Sequence, residues 1–209
     1  MMQFDRVTDI DRPDFRAAIA IYEEAFPANE RVSIATFEKK VTDGTYQLFV
    51  GNRDDRVIFM AILCEPILEE FVLLGYLATH AEFRSQGIGA QFFSYALSLL
   101  QPRAQYLLLE VEDPQIGVDR DLRQRRVNFY RRLGAKQLKN VRYILPLSNR
   151  GEPMEMILML APEYPGNRIT GERFKQLITE LYTKIYQRRS SDPLLRSIWQ
   201  NMGAFVELV

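Results

Sequence analysis

The feature that most constrains the fold is a strand-like run that leads through a glycine turn into an amphipathic helix. Residues 71–79 are apolar and β-rich, and residues 84–89 read Arg-Ser-Gln-Gly-Ile-Gly. Residues 87–100 then carry apolar side chains at helical spacing, and Pro102 ends the run. A strand that continues into a helix in this way is typical of an α/β fold.

The glycine turn is also a candidate anion site. Glycine lets the backbone approach a ligand closely, and the amides at a helix N-terminus point outward with a partial positive charge. Together they favour a diphosphate, and Arg84 adds a full charge. The spacing differs from the dinucleotide and phosphate-loop motifs. The alternative is a strand-to-helix turn whose glycines serve only tight packing.

Periodicity and turn residues predict the elements on either side of this unit. Asp11 is expected to cap the first helix, Ser33 the second, and Gly134 to close the helix that precedes the last strands. The predicted strands are 3–8, 46–50, 57–64, 71–79, 106–112, 141–147 and 154–160, and the predicted helices are 13–26, 33–41, 87–100 and 119–133. Hairpin turns are expected at 52–55 and at 149–151. This order predicts a mixed α/β sheet with strand–helix–strand crossovers at its centre.

The C-terminal part of the chain breaks from this pattern. A proline- and glycine-rich linker at 162–166 precedes two predicted helices, 170–187 and 193–202. We therefore predict a domain over residues 1–161 and a helical extension over 162–209. The first of these helices has an apolar stripe that must be covered, either by its own domain or by a second copy in a homodimer.

Composition excludes several classes of protein. The 27 basic and 27 acidic residues give no basic surplus, which argues against nucleic acid as the main partner. Cys64 is the one cysteine, so no internal disulfide can form, and a reducing compartment is expected. The longest apolar run, 57–64, is too short to cross a membrane, and the first residues do not form a signal peptide. We expect a soluble cytoplasmic protein without membrane contact or a bound metal.

Two motifs together resemble the GNAT family of N-acetyltransferases. Residues 84–89 are similar to the family's Q/R-x-x-G-x-G/A signature, and residues 129–135, Phe-Tyr-Arg-Arg-Leu-Gly-Ala, resemble its [LF]-Y-x-x-x-G-[FA] helix end. The predicted order of elements over residues 3–161 also matches the family's fold. The sequence departs from the pattern at Ala81, where the family usually has proline, and at Arg123, where it often has asparagine.

The resemblance implies an α/β fold, an acetyl donor and the residues that hold it. The fold is a mixed, mostly antiparallel sheet in which parallel strands four and five splay apart around the acetyl group. The donor is acetyl-coenzyme A (acetyl-CoA), whose arm pairs with the backbone of strand four and whose diphosphate lies on the turn. The residues implied are Leu77, Ala78, Thr79, Arg84, Ser85, Gln86, Gly87, Ile88, Gly89 and Ala90, with Arg123 as a further contact.

Transfer of an acetyl group to an amine needs a base for the ammonium and an acid for the leaving sulfur. The resemblance places Tyr130 near the sulfur as the acid. Glu110 and Glu112 stand on one face of a buried strand and are both candidate bases, although a salt bridge to nearby arginines is the alternative. Cys64 is expected to pack in the core. The arginines of residues 120–132 either attract the cofactor's phosphate or form a solvated helix face.

Acceptors of the family bind beside the connection between the first two helices. Phe26, Glu30 and Arg31 are therefore expected to line the acceptor pocket, with Tyr143 and Tyr46 as further candidates. The acceptor is expected to be a small-molecule or peptide amine that attacks the thioester directly. The alternative is a non-catalytic acyl-CoA sensor or interaction module, in which the C-terminal helices hold a partner.

Overall fold

A computed structural model describes residues 2–28, 30–117, 119–146, 154–200 and 202–209. The strands are β1 (Phe4–Val7), β2 (Tyr46–Arg53), β3 (Arg56–Ile67), β4 (Phe71–Thr79), β5 (Tyr106–Glu112), β6 (Lys136–Gln137), β7 (Tyr143–Leu145), β8 (Met154–Ala161), β9 (Arg168–Thr170) and β10 (Phe205–Glu207). The helices are α1 (Pro13–Ala25), α2 (Ile34–Thr42), α3 (Ile88–Leu100), α4 (Arg120–Arg132), α5 (Gly171–Glu180) and α6 (Pro193–Trp199). A single turn of π-helix, Leu181–Ile185, continues α5. The turn predicted at 149–151 lies outside the described residues.

Local side chains explain where several elements begin. The hydroxyl of Ser33 accepts a hydrogen bond from the amide of Thr36 at 3.2 Å, as expected of a helix cap. At α1 the prediction was wrong, because Arg12 occupies the cap position and Asp11 precedes it. Asp54 and Asp55 join β2 to β3 with φ angles of 50° and 58°. Two successive left-handed residues match the twist of a hairpin, and aspartate tolerates this conformation.

The sheet confirms the predicted fold class. Its main path runs β1-β2-β3-β4-β5-β8-β6, and β7 pairs with β8 beside β6. Among these neighbours β4 and β5 are parallel, whereas the others are antiparallel. Parallel neighbours need a crossover, which α3 supplies. None of the helices in the described residues is long and apolar enough to span a lipid bilayer.

Each face of the sheet carries its own hydrophobic cluster. Leu107, Leu109 and Val111 of β5 pack on the face that α3 and α4 cover, whereas Leu108 packs on the opposite face with α1, α2 and the C-terminal segment. This division follows from the alternation of side chains along a strand. The consequence for function is that Glu110, which shares the face of Leu108, approaches the C-terminal segment.

A bulge in β4 changes this alternation. Ile62 of β3 pairs with Tyr76 and the next residue, Leu63, pairs with Leu74, so Gly75 is the extra residue. Leu74 packs with the cluster beside α3, whereas Tyr76 packs with the cluster beside α1. The bulge therefore turns Tyr76 toward the first two helices at the point where β4 leaves β5.

The C-terminal segment 162–209 packs on the rest of the chain. Phe174, Leu177 and Leu181 are fully buried in the same cluster as Phe15 and Phe37 of the first two helices. The chain end is also tied to β6, since Gln137 and Val209 exchange backbone hydrogen bonds of 2.8 Å and 3.0 Å. The division into two domains at residue 161 stays a prediction, but the apolar stripe of α5 is covered within this chain.

Candidate functional site

The site is a cleft that opens where β4 and β5 separate. The two strands pair at residues 71–73 and 106–108, and beyond Leu73 and Leu108 no pair joins them in the described part of both strands. The cleft has a volume of about 1190 Å³. Its walls include the second half of β4, the glycine turn, the end of β5, α4 and the C-terminal segment. Side chains from both faces of the sheet therefore reach the gap between the two strands.

The glycine turn presents free backbone donors to this cleft. Ser85 and Gly87 have φ angles of 63° and 75°, so the chain curls before α3 begins. The amide of Gln91 donates to the carbonyl of Gly87 at 3.0 Å and is the first to bond back along the helix. The amides of Ile88, Gly89 and Ala90 precede it and have no partner within α3. Ser85, Gly87, Ile88, Gly89 and Ala90 all line the cleft, which suits an anion.

The second glycine of the turn is needed for close packing. A β-carbon at Gly89 would lie 3.2 Å from Leu77 Cδ2 and 3.5 Å from Phe129 Cζ. The start of α3 thus sits directly against β4 and α4. Leu77, Ala78 and Thr79 of β4, the predicted contacts of the cofactor arm, line the cleft beside it.

Arg84 and Gln86 are held at the edge of the turn by polar contacts. The Nε atom of Arg84 donates to the carbonyl of Thr79 at 3.1 Å, and its Nη2 atom lies 3.0 Å from the Glu24 carboxylate. Arg84 lines the cleft. The side-chain oxygen of Gln86 accepts from Arg53 at 2.8 Å, so that side chain points toward the β2–β3 hairpin.

Tyr130 reaches the cleft from the face of the sheet that α3 and α4 cover. Its ring packs against Phe93 of α3 and Phe129, with centroid distances of 5.9 Å and 5.1 Å. Burial raises the pKa of the Tyr130 hydroxyl to about 12, and the nearby Arg126 opposes that rise. The hydroxyl is therefore protonated at neutral pH and can serve as a proton donor.

Glu110 reaches the same cleft from the other face. The hydroxyls of Tyr143 and Tyr186 donate hydrogen bonds to its two carboxylate oxygens, Oε1 and Oε2 respectively. Burial raises the pKa of Glu110 to about 7, although both hydrogen bonds favour the charged form and lower it. A carboxylate with this pKa is a stronger base than an ordinary glutamate and is still largely ionised slightly above neutral pH.

Glu112, the second predicted base, is engaged in ion pairs. Its carboxylate lies 3.2 Å from Arg123 and accepts a hydrogen bond from Arg126. Arg123 also donates to the carbonyls of Asp113 and Ile116, so its guanidinium closes the loop after β5. The sequence left open a salt bridge as the alternative role of these carboxylates, and Glu112 forms such salt bridges. Arg123 lies behind this carboxylate, and Arg126 lines the cleft instead.

The predicted acceptor residues lie at the mouth of the cleft between α1 and α2. Phe26, Glu30 and Arg31 line it, and Arg31 is within 3.1 Å of Glu23. The hydroxyl of Tyr76 donates to the carbonyl of Glu30 at 3.2 Å and fixes the loop. Burial is the main cause that raises the pKa of Glu30, and the Glu112 carboxylate adds to it. Glu30 thus faces the Glu112–Arg126 pair.

Two other tyrosines and the cysteine have different surroundings. Tyr143 is fully buried, and its hydroxyl contacts Glu110, so it supports the carboxylate from within the core instead of forming a wall of the pocket. Tyr46 lines the cleft, as predicted. Cys64 is buried, and burial raises the pKa of its thiol to about 12, which makes it a poor nucleophile.

Sequence analysis missed Tyr186, the residue that contacts Glu110 from the C-terminal segment. Tyr182 and Tyr186 interrupt the apolar stripe of a predicted helix with hydroxyl groups. A buried tyrosine usually finds a partner for its hydroxyl, and this is the signal that could have marked it. The sequence did not indicate which residue that partner is.

Solved structures with the same fold are known, although the sequences are distant. No protein-family model and no curated protein sequence matches the chain. A protein described as a GNAT-family acetyltransferase from Bacteroides thetaiotaomicron has a TM-score of 0.75 at 22% identity, over 90% of this chain and 99% of its own. A GNAT-family acetyltransferase from Elizabethkingia anophelis with acetyl-CoA bound has a TM-score of 0.52 at 15% identity, over 76% and 96%. The ribosomal-protein-S18-alanine N-acetyltransferase from Escherichia coli has a TM-score of 0.55 at 20% identity, over 78% and 94%.

Proposed function

We propose that this chain, which has the fold of the GNAT acetyltransferases, transfers an acetyl group from acetyl-CoA to a primary amine. The observation that carries the proposal is the gap between β4 and β5. It brings an anion-binding turn, a protonated tyrosine and a buried carboxylate into one cleft. These are the groups that acyl transfer to an amine requires.

The residues of the cleft fit acetyl-CoA. The free amides of residues 88–90 and the positive charge of Arg84 suit the diphosphate, and Arg126 and Arg132 line the same cleft. The extended arm would lie along the edge of β4 at residues 77–79, where the backbone no longer pairs with β5. When bound, acetyl-CoA supplies the acyl group as an activated thioester.

Glu110 is the proposed base. Most amines carry a proton at neutral pH, because an alkyl ammonium has a pKa of about 10.4. Glu110 takes this proton at a carboxylate oxygen, directly or through one water, and the free amine then attacks the thioester carbonyl. Two features favour Glu110 over Glu112, namely its raised pKa of about 7 and the two arginines that already neutralise Glu112.

Tyr130 is the proposed acid. Its hydroxyl keeps its proton at neutral pH, since burial raises its pKa to about 12. It gives that proton to the sulfur as the carbon–sulfur bond breaks, and free CoA leaves as the thiol. The second proton, which the nitrogen loses as the amide forms, restores the Tyr130 hydroxyl. No covalent bond to the protein is needed, which agrees with the inert surroundings of Cys64.

The acceptor amine would enter between α1 and α2. Phe26 offers an apolar wall, and Glu30 offers a carboxylate that can hold a second cationic group. Arg31 would contact an acidic group on the acceptor. The proposal covers a small-molecule or peptide amine. It extends to a cytoplasmic location, which cell fractionation would test, and to a homodimer, which sedimentation of the purified protein would test.

A thiol-release assay with a panel of amines tests the proposed function. We expect thiol release from acetyl-CoA that depends on one class of amine, and much slower release by Glu110→Gln at unchanged acetyl-CoA affinity. Binding of acetyl-CoA without turnover by any amine in a broad panel would contradict the enzyme and favour an acyl-CoA sensor. Release at the same rate without protein would also contradict it.

A further inference from the structure

Glu110 receives one of its two hydrogen bonds from a residue 76 positions away. Tyr186 follows the π-helical turn of the C-terminal segment, and its hydroxyl donates to Oε2 of Glu110. Tyr143 of β7 donates to Oε1. Both Glu110 and Tyr186 line the cleft, whereas Tyr143 is fully buried beneath them. The carboxylate is thus fixed from within the core and from the C-terminal segment together.

The π-helical turn is anchored on both sides of Tyr186. The ammonium of Lys40 donates to the carbonyl of Ile185 at 2.9 Å in a buried contact. The hydroxyl of Tyr182 donates to the carbonyl of Ile144 on β7. The amide of Arg188 then donates to the carbonyl of Tyr182 at 2.8 Å. Single π-helical turns are rare and often mark functional positions, and here the turn places Tyr186 against the carboxylate.

We propose that Tyr186 is a positioning residue for the base Glu110, so that the C-terminal segment forms part of the active site. This inference rests on the proposed function, in which Glu110 takes a proton from the amine. The hydroxyl holds the carboxylate in one orientation toward the gap, and it stabilises the ionised form by donating a hydrogen bond to it. Each carboxylate oxygen keeps a further lone pair with which to accept a proton from substrate.

Other titratable groups pack around Glu110, and they determine which control is needed. Besides Tyr143 and Tyr186, the groups that face it are Tyr46 from β2, Cys64 from β3 and Tyr182 from the π-helical turn. Lys40 of α2 lies beside Cys64 and Tyr46. Burial raises the pKa of Tyr46, Cys64 and Tyr182, so these three are neutral where Glu110 titrates. Burial lowers the pKa of Lys40, so a test must follow the carboxyl group of Glu110 itself.

Direct titration of Glu110 in the cofactor-free protein tests the proposal. Carbon-13 NMR of labelled glutamate side chains follows its ionisation, and Glu110→Gln identifies the signal. Loss of a hydrogen bond to a charged group weakens the ionised form by about 1.5 kcal/mol, so Tyr186→Phe should raise the midpoint by roughly one pH unit. Tyr164→Phe is the control, because it removes a tyrosine hydroxyl from the same C-terminal segment at a site that packs on Phe71 and Tyr106 instead of Glu110.

A second variant keeps the test decisive where Tyr186→Phe disturbs folding. Fluorotyrosine at position 186 keeps the ring and makes the hydroxyl a stronger donor, so it should lower the midpoint of Glu110. Shifts in opposite directions for the two variants, with no shift in Tyr164→Phe, would support the proposal. An unchanged midpoint with fluorotyrosine at position 186 would overturn it.

The pH dependence of acetyl transfer is a second measurement, independent of the NMR titration. The acid side of the pH profile of kcat/KM should move with the NMR midpoint in each variant. If no amine is acetylated, the proposed function fails while the titration still tests the contact. If the midpoint moves and the pH profile does not, Tyr186 is a structural partner only and its positioning role is wrong.

Discussion

Glu110 and Tyr130 lie on opposite faces of the sheet, and both reach the gap that opens between β4 and β5. Glu110 is bonded to tyrosines of the cluster that includes α1, α2 and α5, whereas Tyr130 packs on the cluster of α3 and α4. If β4 and β5 stayed paired along their whole length, the sheet would separate these two side chains. In the proposed reaction, an amine entering from one face would meet at this gap a thioester held on the other.

The first prediction concerns the proton donor at this gap. Tyr130→Phe removes the hydroxyl but keeps the ring that packs on Phe93, so the fold should be retained. We expect kcat to fall by about 100-fold, the scale of general acid catalysis, while the affinity for acetyl-CoA stays constant. Steady-state kinetics and calorimetry measure the two quantities.

Tyr95→Phe is a suitable control for Tyr130, because Tyr95 packs on Phe4 and Phe49 within the same cluster, away from the cleft. It should leave kcat unchanged. Equal kcat values for Tyr130→Phe and the wild type would refute the assignment of the acid.

The second prediction separates the two carboxylates of β5. Glu110→Gln should lower kcat/KM by at least about 100-fold, because the remaining amide cannot take a proton from the amine. Glu112→Gln should have a clearly smaller effect, because that carboxylate is paired with Arg123 and Arg126. Kinetics of both variants on one amine measure the difference. A larger loss in Glu112→Gln would reverse the assignment of the base.

The third prediction concerns stability and pH. Burial raises the pKa of Glu110 from 4.5 to about 7, so the folded protein binds this proton more tightly than the unfolded chain does. Its contribution to stability is therefore present below pH 4.5 and is lost as the pH rises through 7. The loss is about 3 kcal/mol, relative to a variant that does not titrate there.

Urea unfolding of the wild type and Glu110→Gln from pH 4 to 8 measures this effect. The difference in unfolding free energy between the two should change across that range and level off above pH 7. Glu163→Gln is the control, because Glu163 is exposed and a hydrogen bond from Lys136 lowers its pKa. Parallel curves for the wild type and Glu110→Gln would show that folding does not shift the pKa of Glu110.

The fourth prediction concerns the glycine turn. Gly87 has a φ of 75°, and an added β-carbon there would meet no atom within 4 Å. Gly44, in a turn far from it along the chain, has a φ of 84° and the same open surroundings, so it is a matched control. Alanine at either position should therefore cost about 1 kcal/mol of backbone strain. Only Gly87→Ala should also weaken acetyl-CoA binding, by about tenfold, because Gly87 borders the anion site. Equal affinities in a calorimetric titration of both variants would show that the turn does not hold the cofactor.

Much of the fold follows from local sequence. The bounds of β4 and β5 agree with prediction, because both are apolar runs with a polar residue at each end. Strands β6, β9 and β10 were missed, since each has two or three residues and exists only through pairing with distant segments. Gln137, for example, pairs with Val209 at the chain end. Such pairing leaves no periodic pattern in a single sequence.

The candidate site could be predicted only in part. Glycine turns and a tyrosine at a helix end are local motifs, which is why the sequence alone could suggest residues 84–90 and Tyr130 as candidates. The partners of Glu110 and Glu112 depend on how β5 faces α4 and the C-terminal segment. Alternation placed both carboxylates on one face, but it could not distinguish a carboxylate bonded to two tyrosines from one paired with two arginines.

A crystal structure of the protein with acetyl-CoA tests the central claim most directly. We expect the diphosphate against the amides of residues 88–90 and the thioester between β4 and β5, with its sulfur within reach of Tyr130 and its carbonyl carbon open toward Glu110. Acetyl-CoA bound elsewhere on the chain, or a cleft that stays empty at saturating concentration, would contradict the account.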